Sequence, residues 1–322
     1  MVRTNRWGRN RWVLAECLLA LSLTACMQPQ VAAVPMMTPV PTATPVSTQA
    51  TPGAGDDPAT PTVPLDTQGF ADPAFRALWE RSDAAVASGA ASRSWLWGTP
   101  VPFGALREPY AQAAGGTRLV QYFDKGRMEI NDPNADPSSQ WYVTSGLLTV
   151  ELVTGRVQVG DDAFQNLVPA QIPVVGDLEN ISPETPRYAD FAGGRQAPVA
   201  DRTGQLVATE FQRGQGDVEI TPPVPVKDAS YDATVDHNIP DVFITYFTQD
   251  LSAMGQNWLY VMGHPISEPY WVLGRINGQV ALVLVQLFER RALTYNPQNP
   301  PGWKVEFGNI GLDYYRWRYH GQ

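Results

Sequence analysis

Two short segments, far apart in the chain, carry large apolar side chains with the same helical spacing. One begins at Asp72-Pro73 and the other at Pro240-Asp241. Their apolar residues are Phe75, Leu78 and Trp79 in the first segment and Phe243, Tyr246 and Phe247 in the second. Residues at i, i+3 and i+4 share one face of a helix, and Asp before Pro is a common helix start. The pattern predicts two short amphipathic helices, each packed on a sheet.

A strongly apolar stretch at residues 280–288 is aliphatic and β-branched on both faces. Such a strand is covered on both sides, so we expect it in the middle of a sheet. Asn277-Gly278 precedes it and is a strong hairpin signal. The Asn- and Pro-rich residues 296–302 predict a turn into a further strand at 303–307.

A motif of the form V-Q-x-F-acid-base occurs twice, at residues 120–125 and 285–290. The residues shared around it are Trp95, Glu108, Tyr110, Gln121, Phe123 and Asp124 in the first copy and Trp258, Glu268, Tyr270, Gln286, Phe288, Glu289 and Arg290 in the second. Several matches in the same order indicate a degenerate tandem duplication. We therefore expect residues 73–146 to superpose on 241–308, with Phe123 over Phe288 and Trp95 over Trp258. These residues are assigned structural roles.

The predicted fold class is α+β, with two related helix-plus-antiparallel-hairpin units after a disordered tether. The units are predicted at residues 70–155 and 239–322, with an inserted β-rich segment at 156–238 between them. Within the insert, residues 206–211 and 218–220 flank the turn sequence R-G-Q-G and predict a hairpin. Residues 26–69 are rich in Pro and Thr, lack aromatic residues and predict an extended, disordered linker.

The first 25 residues have the organisation of a bacterial export signal. Several arginines precede an apolar run, at 13–23, that is too short to span a bilayer. The run ends in L-T-A-C, which resembles a lipobox, and the resemblance implies a diacylglycerol on Cys26 and cleavage before it. We expect a lipid-anchored protein on the outer face of the cytoplasmic membrane or in the cell envelope. An ordinary secretory signal with a coincidental cysteine is the alternative.

Charge and cysteine usage narrow the range of partners. The chain carries a net charge of −9, and removing the +3 of residues 1–25 leaves −12. So acidic a domain is a poor partner for nucleic acid, and we expect none. Cys17 and Cys26 are the two cysteines of the chain, so the mature domain has no disulfide. The acyl chains, and not the acidic protein surface, are expected to hold it at the membrane.

The combined order of motifs resembles a family of uncharacterised secreted bacterial modules. The order is an apolar helix, G-x-P-I-S-E, V-Q-x-F-E-R, Y-x-P and V-x-x-G, over residues 70–155 and 239–319. These modules are distantly similar to the LGFP-type cell-wall repeat. The resemblance implies an envelope-facing interaction module, and none of the motifs is catalytic.

Candidate chemistry is sparse. His237, His264 and His320 lack metal-ligand spacing, and there is no phosphate-binding loop, so we expect no metal or cofactor. The acid pairs of the repeat, Asp124 with Glu289 and Glu108 with Glu268, are the remaining route to an enzyme, because glycoside hydrolysis uses two carboxylates. Structural ion pairs are the favoured interpretation.

The C-terminal stretch at residues 314–319 alternates aromatic and basic positions, which predicts a strand. Its candidate glycan-binding residues are Tyr314, Arg316, Trp317 and Arg318. Aromatic rings stack on sugars and arginine binds carboxylates. The alternative is a closing strand whose arginines pair with the protein's own acids.

The sequence therefore favours a non-enzymatic lipoprotein that binds cell-wall glycan or peptidoglycan. A structural or protein-interaction module and a carbohydrate-active hydrolase are the alternatives. An aromatic-floored groove would favour the first, a flat exposed apolar patch the second, and two unpaired carboxylates in one cleft the third.

Overall fold

The structure is a computed structural model that describes residues 64–66, 68–100, 102–176, 181–276 and 278–320. The predicted signal peptide, Cys26 and nearly all of the predicted linker lie outside the described residues. Everything below concerns the described part of the unit that begins at Asp56.

The first helix, α1 (Pro73–Ala87), starts where the sequence predicts. Asp72 is its N-cap and accepts a hydrogen bond from the backbone N of Ala74 at 2.8 Å, and Pro73 occupies the first turn. After α1 come β1 (Phe103–Pro109), β2 (Thr117–Phe123), β3 (Gly126–Ile130), β4 (Thr144–Ser145) and α2 (Leu148–Thr154). The strands form a four-stranded antiparallel sheet in the order β1-β2-β3-β4.

The middle of the chain is built from hairpins. In chain order they are β5 (Arg156–Gln158) with β6 (Phe164–Asn166), β7 (Thr209–Gln212) with β8 (Gly216–Glu219), and β9 (Asp228–Asp232) with β10 (His237–Pro240). Short 3₁₀ turns lie at Ala114–Gly116, Tyr188–Phe191 and Gly193–Gln196. The hairpin expected around the R-G-Q-G turn is confirmed as β7 and β8.

The last third, like the first, has a helix, four strands and a further helix in that order, with an additional short helix before its strands. It contains α3 (Asp241–Tyr246) with a π-helical turn at Phe247–Leu251, α4 (Trp258–Met262), β11 (Tyr270–Ile276), β12 (Gln279–Leu287), β13 (Ala292–Tyr295), β14 (Val305–Phe307) and α5 (Ile310–Tyr315). A six-stranded sheet has the order β14-β13-β12-β11-β7-β8, antiparallel except between β11 and β7. The described part of the chain is thus a mixed α+β fold with largely antiparallel sheets.

Strand β12 lies inside its sheet, between β11 and β13, as its apolar composition predicts. Ile276 pairs with Gln279, so the chain reverses at the predicted Asn-Gly position. Gly278 has φ of 76°, while Asn277 lies outside the described residues. Strand β14 is shorter than the expected strand at 303–307, since it covers only Val305–Phe307.

The predicted apolar faces of both helices are buried. Phe75, Leu78, Trp79, Phe243, Tyr246 and Phe247 are all buried in one core cluster. Phe123 and Phe288 belong to the same cluster and are 1% and 0% exposed. The repeated phenylalanine of the V-Q-x-F motif therefore has the same kind of environment at both sites.

Backbone contacts link the end of each sheet to the helix that follows the other sheet. The N of Leu312, in α5, donates to the O of Asp124 at 3.2 Å. The N of Val150, in α2, donates to the O of Glu289 at 3.3 Å. Each helix therefore covers the strand end of the opposite sheet.

The side chains that follow these two acids make a matching exchange. Lys125 Nζ donates to the O of Phe307, at the end of β14, at 2.8 Å. Arg290 donates to the O of Ser145, at the end of β4. These contacts tie the end of β2 to β14 in the other sheet, and they tie the end of β12 to β4.

Candidate functional site

The C-terminal stretch is helical, which corrects the predicted strand. Helix α5 continues into a π-helical turn at Arg316–His320. Positions 314, 317 and 318 have the spacing i, i+3 and i+4, so a helix places them on one face. A strand would place position 317 on the face opposite to 314 and 318. Tyr314 and Trp317 are buried and only Arg316 is exposed. The predicted exposed glycan-binding strip of Tyr314, Arg316, Trp317 and Arg318 therefore does not form.

Arg318 belongs to a buried network of charges centred on Glu108. Its Nη1 lies 2.8 Å from Glu108 Oε2, and Arg127 Nη1 lies 3.1 Å from the same oxygen. Arg118 pairs with Glu129 at 3.0 Å. Burial raises the pKa of Glu108, but Arg127, Arg318 and Arg118 outweigh burial and hold the pKa at about 2. Arg318 thus pairs with the protein's own acid, as the structural alternative expects, but it does so from a helix and not from the closing strand of that alternative.

The two Glu-Pro-Tyr sequences do not occupy matching places in the two sheets. The predicted match of Glu108 and Tyr110 with Glu268 and Tyr270 is therefore wrong. Val120 pairs across the sheet with Leu106, whereas Val285 pairs with Tyr270. Glu108 therefore lies inside β1, while Glu268 precedes β11. Both are buried and paired, Glu268 with Arg202 and His237.

Trp95 and Trp258 are also out of register. The backbone N of Lys125 donates to the O of Trp97, and that of Arg290 donates to the O of Met262. Trp97 and Met262 therefore make the equivalent backbone contact, and the predicted match of Trp95 with Trp258 is wrong.

The motif glutamines anchor the chain that leads into α1 and α3. Gln121 accepts from the N of Ala71 at 2.9 Å and donates to the O of Gly69 at 2.8 Å. Gln286 donates to the O of Asn238 at 2.7 Å and to the O of Ser267 at 2.9 Å. These contacts explain a buried glutamine in the middle of each sheet.

The motif acids support glycine loops rather than ion pairs. Gly98 and Gly263 have φ of 130° and 71°, and a Cβ on either would collide with Asp124 or Glu289, respectively. Glu289 accepts from the backbone N of His264 at 3.1 Å. Among the described residues, the ion pairs within 4 Å use other carboxylates, so the predicted pairing of Asp124 and Glu289 with cations is wrong.

The remaining motif tyrosines are buried. Tyr110 OH donates to Asp161 Oδ1 at 2.7 Å, and Arg118 lies over its ring at 4.7 Å. Tyr270 packs against Phe211, with ring centres 5.8 Å apart. Neither tyrosine presents its ring to a ligand.

A cleft of about 350 Å³, which we name the α1 cleft, lies between α1, the loop before β4 and the turn before α4. Its lining includes Ala74, Ala77, Arg81, Ser138, Ser139, Gln140, Tyr142, Gln256, Asn257 and Tyr260. Ala74, Ala77 and Arg81 share one face of α1, and the two small side chains leave the space that the cleft occupies. The volume falls in the usual range for a small-molecule site.

Asx turns shape the loop that forms one wall of this cleft. Asp132 accepts from the N of Asn134 at 2.9 Å, and Asp136 accepts from the N of Ser138 at 2.8 Å. Asn257 caps α4 by accepting from the N of Leu259 at 2.9 Å. Local sequence chemistry therefore fixes both polar walls.

Aromatic rings lie in and beneath the cleft. Tyr260 is buried beneath the cleft and its OH donates to the O of Val143, and Tyr142 is half-buried beside it. Trp141 is 52% exposed and packs edge-on against Tyr260, with ring centres 5.5 Å apart. Burial raises the pKa of Tyr260 to about 12, which keeps its hydroxyl protonated.

The charge of the α1 cleft is opposite to that of the chain. Among the described residues that line it, Arg81 alone is charged, and the others offer hydroxyl, amide or apolar groups. Uncharged donors and acceptors around rings suit a sugar, and Arg81 suits a carboxylate substituent. These residues were not predicted from the sequence, although Trp141-Tyr142 after a polar, turn-rich loop was a usable signal.

A second polar cleft, of about 280 Å³, contains the one exposed member of the predicted strip. Arg316 lines it with Lys125, Glu306 and Asp313. Burial raises the pKa of Asp313 to about 7, against the opposing effects of Arg316, Tyr188 and Lys125. Burial also raises the pKa of Glu306.

The pKa of Asp313 predicts a pH-dependent stability. Because the folded pKa exceeds the unfolded value of 3.8, its contribution is most favourable below pH 3.8 and is lost as pH rises to 7. The free energy of unfolding of Asp313→Asn, relative to that of wild type, should therefore rise by about 2–3 kcal/mol from pH 5 to pH 7. The expected slope is about 1.4 kcal/mol per pH unit. Urea unfolding at several pH values measures this, with exposed Asp162→Asn as control. A pH-independent difference would contradict the assignment.

Comparison with protein-family models, curated proteins and solved structures finds no match for this chain. Among the described residues, no group of three or more His, Cys, Asp and Glu is arranged to hold a metal ion. The described helices include none that is long and apolar enough to cross a membrane.

Proposed function

We propose that the protein is a lipid-anchored extracytoplasmic protein whose folded module binds cell-wall glycan or peptidoglycan without catalysing a reaction. The lipobox-like sequence supports anchoring through Cys26, which would place the module on the outer face of the membrane or in the envelope. The Pro- and Thr-rich residues that follow would hold the module away from the bilayer. The ligand would occupy the α1 cleft.

One observation carries this proposal: the α1 cleft combines an aromatic floor with a polar, nearly uncharged lining. A sugar ring has an apolar face that stacks on aromatic side chains and a rim of hydroxyls that needs donors and acceptors. Tyr142, which is half-buried, meets the first need, with Tyr260 packed beneath the cleft as its support, and Ser138, Ser139 and Gln256 meet the second. Arg81 would bind the carboxylate of an acidic sugar substituent.

The module would have arisen by internal duplication, with residues 70–155 and 239–322 as the two units and 156–238 as the insert. The strand orders β1-β2-β3-β4 and β11-β12-β13-β14, each followed by a helix, support this origin. The reciprocal contacts between the sheets support an approximate two-fold relation. Gly126 and Arg291 hold the same position after the V-Q-x-F motif, and they lie against each other, as positions on a two-fold axis must.

Tyr142→Ala and Arg81→Ala are each expected to weaken glycan binding about tenfold. Loss of one stacked ring or one carboxylate contact costs about 1–1.5 kcal/mol, and about 1.4 kcal/mol is a tenfold change. Calorimetric titration with soluble glycan fragments released from purified peptidoglycan measures the effect. Arg107→Ala and Phe164→Ala, which remove exposed side chains elsewhere, are the matched controls. Equal affinities for all five proteins would place the glycan site outside this cleft.

A carbohydrate-active hydrolase is the second candidate, and the cleft around Asp313 is the observation that favours it. Asp313 and Glu306 line one cleft, burial raises the pKa of both, and among the described residues neither lies within 4 Å of a cation. Two such carboxylates are what glycoside hydrolysis needs. Release of new reducing ends from peptidoglycan, abolished in Asp313→Asn, would favour this candidate over simple binding.

A further inference from the structure

A further cleft, separate from the two described above, lies beside α3, and we name it the α3 cleft. It has the same place in the last third of the chain as the α1 cleft has in the first. Its volume is about 520 Å³. Val242 and Thr245 line it from α3 and occupy the helix positions of Ala74 and Ala77 in α1. The chain before β14 forms the facing wall, as the chain before β4 does in the α1 cleft.

The lining of the α3 cleft has different chemistry at the matching positions. Lys304 stands at the position of Tyr142, and Gly302 stands at that of Gln140. Asp241 and Asp250 add two carboxylates that have no counterpart in the α1 cleft. The charged lining therefore has an excess of one negative charge, where the α1 cleft has one positive charge.

The carboxylate of Asp241 is incompletely satisfied by the protein. Its Oδ1 is buried and has no hydrogen-bond partner among the described residues. Asp241 and Tyr295 line the same cleft, and burial, together with the Asp241 carboxylate, raises the pKa of Tyr295. This buried oxygen has no donor among the described residues, and a donor-bearing ligand in the cleft would satisfy it.

Apolar side chains form the rest of the α3 cleft. Val224, Val226 and Val305 form its walls, with the rings of Tyr246 and Tyr295. An aliphatic chain packs on such walls, and a cationic head group gains from both the carboxylates and the faces of tyrosine rings. A long alkyl chain that ends in an ammonium group has both parts.

We propose that the α3 cleft binds an alkylammonium side chain of a peptide, with Asp241 accepting hydrogen bonds from the ammonium group, Asp250 adding negative charge to the cleft and the valines holding the alkyl chain. The neighbouring Lys304 is a like charge that limits the affinity. This site is separate from the α1 cleft and does not depend on glycan binding there.

The test is a calorimetric titration of the mature, full-length protein with two peptides. Acetyl-Ala-Lys-Ala-amide carries the ammonium group, and acetyl-Ala-norleucine-Ala-amide has a similar alkyl chain without the charge. We expect saturable binding of the lysine peptide and at least tenfold weaker binding of the norleucine peptide. Absence of saturable lysine-peptide binding, or equal affinities for the two peptides, would overturn the proposal.

Variants with opposite expected signs separate binding from a structural role. Asp241→Asn and Asp250→Asn should each weaken lysine-peptide binding at least fivefold, whereas Lys304→Met should strengthen it severalfold. Exposed Glu219→Gln is the control for loss of a carboxylate and should leave peptide binding unchanged. If Asp241→Asn fails to fold, Asp250→Asn carries the test. Wild-type affinity in the folded Asp variants, or weaker binding in Lys304→Met, would overturn the site.

Discussion

Arg127→Met is expected to lower the free energy of unfolding by about 3–5 kcal/mol. Arg127 is fully buried and lies between Glu108 and Glu129, with its Nη1 3.1 Å from Glu108 Oε2. Its removal leaves two buried carboxylates with too little positive charge around them, which is the costly way to break a buried ion pair. Urea unfolding monitored by tryptophan fluorescence measures the loss.

Arg291→Met is the matched control for this prediction. Arg291 is also fully buried, but the only described hydrogen bond of its side chain goes to the O of Lys125, and its guanidinium lies over the Trp97 ring at 4.4 Å. Burial without a carboxylate partner lowers the pKa of Arg291 to about 9. Replacing it with an apolar residue should leave stability unchanged or raise it by about 1–2 kcal/mol. Equal losses in the two variants would mean that ion pairing is not what distinguishes these arginines.

Phe288→Ala is expected to cost about 3–5 kcal/mol through lost burial and the cavity that remains. Phe288 is 0% exposed and packs edge-on against Phe247, with ring centres 5.8 Å apart. Phe123→Ala should cost a similar amount, because Phe123 lies in the same cluster. Val280→Ala is the control in the same apolar segment, since Val280 is 54% exposed, and it should cost less than about 1 kcal/mol. Undiminished stability in Phe288→Ala would contradict its core position.

Local patterns in the sequence were sufficient for the elements that local chemistry decides. The Asp-Pro helix start, the apolar helix faces, the Asn-Gly hairpin and the central position of β12 follow from capping, periodicity and turn preferences. Each depends on residues a few positions apart. The α+β class follows from the same signals.

Partners distant in the chain could not be predicted in this way. Glu108 meets Arg318 only because α5 covers the first sheet, and no local pattern encodes that contact. Six alternating residues at the C-terminus fit a strand and a helix equally well, and packing of Tyr314 and Trp317 decides for the helix. The sequence Glu-Pro-Tyr occurs twice, but its two copies lie at different positions relative to the V-Q-x-F strands with which they pair.

The α1 cleft could not be predicted from the sequence for a related reason. Its walls come from α1, the loop before β4 and the turn before α4, which are brought together only by the fold. Small residues such as Ala74 and Ala77 give no chemical signal in a sequence, yet here they create the space. The 52% exposure of Trp141 beside this cleft likewise has no signature in the local sequence.

Retention of the mature protein on purified insoluble peptidoglycan and wall polysaccharide tests the central proposal most directly. Co-sedimentation is measured over a range of protein concentrations, with Tyr142→Ala and Arg107→Ala alongside the wild type. The account predicts saturable retention of the wild type and of Arg107→Ala, with about tenfold weaker retention of Tyr142→Ala. Wild-type retention at background level on both materials would contradict glycan binding.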